Sequence, residues 1–74
     1  MTDFYEMRKR LAENIRTNRI RLGLTQFALG KIVTNGGSGS VGLWEAEKCV
    51  PNAYSLCVLA DLFECTVDEL LGRA

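Results

Sequence analysis

The chain has 74 residues, room for one small domain, and 47% of them are hydrophobic, too many for a disordered polymer. Nine basic and nine acidic side chains cancel to a net charge of zero, a balance that taken alone argues against a polyanionic partner. No run approaches the roughly 20 apolar residues that span a bilayer, and the start lacks a basic segment followed by an apolar one, so a soluble cytoplasmic protein is expected.

The distribution of charge says more than its sum. Residues 1–31 carry seven cationic side chains against three carboxylates, while residues 32–74 carry two against six. A molecule polarised in this way can offer a basic face to a polyanion while its far end stays acidic.

In chain order, Asp3 opens the first predicted helix, with Glu6 three residues on as a reciprocal cap. The helix runs to about Leu22, where Gly23 ends it. Leu11, Ile15 and Leu22 share a face that Met7 extends, and Arg8, Lys9, Arg10, Arg16 and Arg21 occupy the remainder. Thr25 is the N-cap of a second helix, whose apolar stripe is read as Phe27, Ala28, Leu29, Ile32 and Val33. A turn follows at Thr34-Asn35-Gly36-Gly37. Ser38 then caps a third short helix that points Val41 and Trp44 inward. Two short helices around a glycine-bearing turn outline a helix-turn-helix.

Pro51 forces the preceding residue out of α geometry, and Asn52 caps a fourth helix from about Ala53 to Phe63. Leu56, Leu59, Ala60 and Phe63 form its core stripe. Tyr54, Val58 and Leu62 make a second apolar stripe, which suggests self-association. Thr66-Val67-Asp68-Glu69 is a capping box opening a last helix with Val67, Leu70 and Leu71, and Gly72 stops it. The fold expected is all-α with five helices.

The three cysteines, Cys49, Cys57 and Cys65, lie eight apart without a CxxC pair, and the chain has no histidine. No metal site, cofactor or catalytic constellation can be assembled from such a set, and reduced structural thiols are expected.

Taken together, Arg19 with Gly23-Leu24-Thr25-Gln26, then Trp44-Glu45, Pro51-Asn52, Leu59-Ala60 with Phe63, and Val67-Asp68-Glu69-Leu70-Leu71 resemble the Cro/repressor-type helix-turn-helix family. These are the phage-repressor-like, xenobiotic-response-element-type transcriptional regulators. The resemblance covers about Leu11 to Gly72 of a single domain over residues 1–74, with residues 3–10 as an N-terminal helix extension. It implies a compact domain of the lambda-repressor-like type. Gln26 would then anchor the second helix to a phosphate, Arg19 and Glu45 would bridge the first helix to the third, and Lys48 and Asn52 would hold the DNA backbone. The DNA-contacting set becomes Thr25, Gln26, Ser38, Gly39, Ser40, Leu43, Lys48 and Asn52, with Tyr54, Val58 and Leu62 as the candidate dimer interface.

The third helix departs from the family pattern. No Arg, Lys, Gln or Asn lies between Asn35 and Trp44, so the bidentate pairings with guanine or adenine are missing. The tract Gly36-Gly37-Ser38-Gly39-Ser40 has the composition of a flexible linker, and Gly39 and Gly42 each cost a helix roughly 1 kcal/mol. Residues 35–42 are therefore expected to be the softest internal segment. The function expected is a sequence-specific DNA-binding regulator, a repressor acting as a homodimer on a palindromic operator in double-stranded DNA, with much of its specificity indirect. The alternative is a protein-binding or antitoxin-like helix-turn-helix module with weak DNA readout. With no effector domain after the helices, regulation is expected to act through concentration, a partner or steric blocking.

Overall fold

The computed structural model describes residues 3–34 and 40–73. Among them lie five helices and no strand: α1 (Phe4–Arg21), α2 (Gln26–Val33), α3 (Ser40–Glu45), α4 (Ala53–Phe63) and α5 (Val67–Leu70). The all-α, five-helix architecture is therefore as expected. The turn through Gly37 and the cap assigned to Ser38 fall at residues 35–39, outside the described residues.

Short polar side chains start the helices. Asp3 accepts from the amides of Tyr5 and Glu6 at 2.9 and 3.2 Å, Thr25 from Ala28 at 3.0 Å, and Asn52 from Ser55 at 2.9 Å. Thr66 and Glu69 cap each other, the Glu69 amide donating to Thr66 Oγ1 at 3.0 Å and the Thr66 amide to Glu69 Oε1 at 2.9 Å. The reciprocal cap assigned to Glu6 is absent. Its carboxylate turns one helical turn forward instead, to Arg10 Nε at 3.1 Å.

Four helices end in one way. The residue after the C-cap, or the C-cap itself in α4, takes the left-handed conformation: Gly23 (φ 72°), Glu47 (φ 62°), Glu64 (φ 56°) and Gly72 (φ 74°). The next amide then reaches back to close the last turn: Leu24 to Arg19 O, Lys48 to Leu43 O and Cys65 to Ala60 O, each at 3.0 Å, and Arg73 to Asp68 O at 2.8 Å. Two of these positions hold glutamate, whose Cβ makes the left-handed region costly.

The core is Leu11 and Ile15 of α1, Leu29 and Val33 of α2, Val41 and Trp44 of α3, Leu59 and Phe63 of α4, and Leu70 of α5. Helix α1 packs on α3 and α5, α2 on α3 and α4, and α4 on α5. Two polar bonds, the first buried and the second part-buried, join elements distant in sequence. Ser55 Oγ donates to Val33 O at 3.0 Å, fastening α4 to the end of α2, and Asn14 Nδ2 donates to Leu70 O at 2.9 Å, fastening α1 to the end of α5. At the start of α1, Arg8 rests on the rings of Phe4 and Tyr5, 5.4 and 5.2 Å from their centroids, and its Nε is buried without a hydrogen-bond partner.

Three expected apolar faces are redrawn. Leu22 is 38% exposed as the C-cap of α1, whose buried face is Leu11, Ala12 and Ile15. In α2, Phe27 and Ile32 are 60% and 49% exposed, because Phe27 stands two residues before Leu29, on nearly the opposite side of a helix turning about 100° per residue. In α4, Val58 and Leu62 are partly buried against the core, together with Leu56, so Tyr54 is the one exposed member of the second stripe.

Candidate nucleic-acid interface

The α2 and α3 helices are held in register by a polar knot at one corner of the molecule. Arg19, near the end of α1, sends Nε to Glu45 Oε2 at 2.7 Å, Nη2 to Glu45 Oε1 at 3.1 Å and Nη1 to Leu24 O at 2.9 Å. The side chains of the pair are 14% and 4% exposed, so it is a largely desolvated, bidentate contact whose fork geometry fixes orientation as well as distance. The hydrogen bond to Glu45 raises the Arg19 pKa above the ordinary guanidinium value, burial opposes it, and the Glu45 charge adds to it. Gln26 joins the knot from the first residue of α2, donating Nε2 to Glu45 Oε1 at 3.2 Å. One carboxylate thus holds α1, α2 and α3 together.

The remaining DNA-face candidates fall in different places. Thr25 and Asn52 are exposed, with their side-chain oxygens occupied in capping α2 and α4. Both helices are long enough for their free N-terminal amides to present a positive end to an anion. Ser40 lines an open cleft with Asn52 and Tyr54, between the starts of α3 and α4. Leu43 is 46% exposed on α3, opposite the buried pair Val41 and Trp44. Lys48 is exposed just beyond the left-handed Glu47. Ser38 and Gly39 lie outside the described residues.

Two further basic side chains of α1 have partners of their own. Arg10 lies against Gly72, and Arg21 donates to Asn18 Oδ1 at 3.1 Å. Burial pushes the Cys65 thiol up, Glu69 pushes it further, and Arg21 opposes them, which places the Arg21 charge beside the start of α5. Cys49 and Cys57 are free and exposed, and Cys65 is free and half-buried. Among the described residues there is no group of three His, Cys, Asp or Glu side chains suited to a metal ion, and no helix long and apolar enough to cross a membrane.

Sequence reasoning overlooked Gly42. Its open side faces the Gln26 carboxamide, so the glycine read as a weakness of α3 is a point where a side chain of α2 lies against α3. A glycine inside a six-residue helix was the available signal, because close approach is a common reason for one. Asn14 carried a similar signal, since a mid-helix asparagine is disfavoured without a partner.

Five helices in this order, with α2 and α3 set by the polar knot, define a lambda-repressor-like domain, and the chain belongs to the Cro/repressor-type helix-turn-helix family. It is 34% identical over 61 residues to Repressor protein C2 of Salmonella phage P22, a match that takes in 82% of this chain. The chain spans 28% of that repressor's length. Neither a protein-family model nor a solved structure matches the chain.

Proposed function

We propose that this chain is the DNA-binding unit of a repressor-type transcriptional regulator, docking α3 in the major groove of double-stranded DNA. The observation that carries the reading is the Arg19–Glu45–Gln26 knot, which ties the end of α3 to α1 and α2 while leaving Leu43 exposed and Ser40 half-buried on its other side. A helix anchored from behind with one free face suits groove entry. The similarity to a phage repressor supports the same reading. Gln26, Lys48, Thr25 and Asn52 would position the domain on phosphates around that helix. Two copies on a palindrome would place their helices one turn of DNA apart, about 34 Å.

Titration of random duplex at several salt concentrations tests the reading. Binding should weaken steeply with salt, Lys48→Ala should lower the salt slope by about one, and Gln26→Ala should weaken all duplexes alike. Duplex binding that is absent at low salt would end the proposal.

A second reading, a protein-binding module, draws on Phe27 and Ile32, large apolar side chains exposed on α2. It predicts that Phe27→Ser abolishes partner capture and leaves duplex affinity unchanged.

A further inference from the structure

Independently of how the domain meets DNA, we infer that the first two turns of α1 dock on the outer face of α4 of a second copy of this chain, Arg8 of one copy pairing with Asp61 of the other. The inference starts from Arg8. Phe4, Arg8, Leu11, Ala12 and Ile15 follow one another at helical spacing along one side of α1. The last three are buried in the core, whereas Phe4 and its neighbour Tyr5 are exposed. The inward stripe of α1 thus runs past the core and is left half open to water. Arg8 is half-buried at that open end, resting on both rings, and its Nε is buried without an acceptor. Arg10, Arg19 and Arg73 each have a carboxylate partner, but among the described residues Arg8 has none. A guanidinium already stripped of part of its water and lacking an acceptor is a site short of a carboxylate. Tyr5 is exposed enough to turn aside and admit one.

Charge chooses the occupant. Residues 1–31 carry seven positive side chains against three negative, and residues 32–74 two against six, so the chain holds the complement of its own basic end. On α4 and its C-cap, Tyr54, Asp61 and Glu64 stand at i, i+7 and i+10, all exposed. Neither carboxylate makes an ion pair among the described residues. One surface therefore offers two rings and a guanidinium, the other a ring and two carboxylates. A carboxylate fits the guanidinium fork, and Phe4 and Tyr5 bury apolar surface against Tyr54, which a phosphate backbone does not provide. Tyr, Phe and Arg are the residue types that interfaces between proteins favour. Repeated across a two-fold axis the contact is made twice, which a patch of this size needs in order to hold.

Sedimentation of the whole chain without DNA tests the contact. At low salt it should show a monomer–dimer equilibrium that moves toward monomer as salt is raised. Arg8→Glu and Asp61→Arg should each raise the dimer dissociation constant at least about 30-fold, since each sets like charges against one another at both contacts. Mixed in equal amounts, the two folded variants should recover the dimer, because the reversed charges attract at one contact and the original pair survives at the other. Thermal unfolding of each variant verifies that it is folded at the assay temperature. Asp61 is exposed, so Asp61→Arg alone carries the test should Arg8→Glu fail to fold. A chain that stays monomeric up to about 1 mM overturns the inference, as does a dimer indifferent to Asp61→Arg or a mixture of folded variants that remains monomeric. A monomer whose duplex binding loses salt dependence on Arg8→Glu also overturns it, and assigns Arg8 to a phosphate instead.

Discussion

A Cβ placed on Gly42 would stand 3.3 Å from Oε1 of Gln26 and 3.9 Å from its Cδ. The first residue of α2 thus lies directly over the middle of α3. Two effects compete when alanine replaces this glycine. Helix propensity favours alanine by roughly 1 kcal/mol, while the Gln26 side chain must yield a few tenths of an ångström.

Gln26 is exposed and holds Glu45 through one bond of 3.2 Å, so it can move cheaply. Gly42→Ala should therefore stabilise the fold by about 0.5 kcal/mol, rising toward 1 kcal/mol in a Gln26→Ala background. Chemical denaturation of the four variants measures the coupling. Destabilisation by Gly42→Ala in both backgrounds would mean that something other than Gln26 crowds the position.

The Arg19–Glu45 pair is a vulnerable contact. Truncating either partner leaves the other charge buried, at a cost of about 3–5 kcal/mol, a large share of the stability of so small a domain. Arg19→Lys should also be severe, because one ammonium cannot make both bonds to Glu45 and the bond to Leu24 O. The double variant Arg19→Met/Glu45→Leu should recover much of the loss. Equal stability of Arg19→Lys and wild type in urea would show that the fork geometry contributes nothing.

Glu47 and Glu64 sit at φ 62° and 56°, where glycine is relieved of strain. Glu47→Gly and Glu64→Gly should each stabilise by about 0.5–1 kcal/mol, the relief outweighing the added freedom of the unfolded chain. The melting temperature should rise for both, additively, because they close different helices. A fall in either would assign that carboxylate a stabilising role that exceeds the backbone cost.

The amide and hydroxyl of Thr66 hold the Glu69 carboxyl below the ordinary carboxylate range. A depressed pKa adds stability that is complete above the unfolded value and is lost as pH falls through the folded value. Glu69→Gln retains a capping acceptor without the charge. The difference in stability between wild type and Glu69→Gln should therefore shrink as pH is lowered below the unfolded glutamate pKa, about 4.3. A difference that stays constant from neutral pH to strong acid would remove the charge from the cap.

Val58 is half-buried against the core, so Val58→Lys should lower the unfolding midpoint whether or not the protein self-associates. Tyr54, 63% exposed, is the cleaner probe of a surface. Sedimentation of Tyr54→Lys separates the two roles: a change in mass without a change in stability marks an interface.

What could be read along the chain is what a helix decides within one turn. Asp3, Thr25, Asn52 and the Thr66–Glu69 box each act on amides two or three residues away, and each side chain caps as its type and place imply. Gly23 and Gly72 stop helices for an equally local reason, the absence of a Cβ at positive φ. Glu47 and Glu64 show the limit of that logic. Their residue type argues against the left-handed region, and only the packing that follows α3 and α4 places them there.

Which side of a helix meets the core depends on neighbours that no local pattern names. Helix α2 carries apolar residues around much of its circumference, and contact with α3 and α4 buried Leu29 and Val33 while leaving Phe27 and Ile32 outside. The bonds from Ser55 to Val33 O and from Asn14 to Leu70 O span 22 and 56 residues, distances over which sequence spacing carries no geometry. Arg19 and Glu45 could be paired in advance through the family resemblance alone. That Gln26 would share the same carboxylate and roof Gly42 was decided by tertiary packing, which brings the start of α2 onto α3.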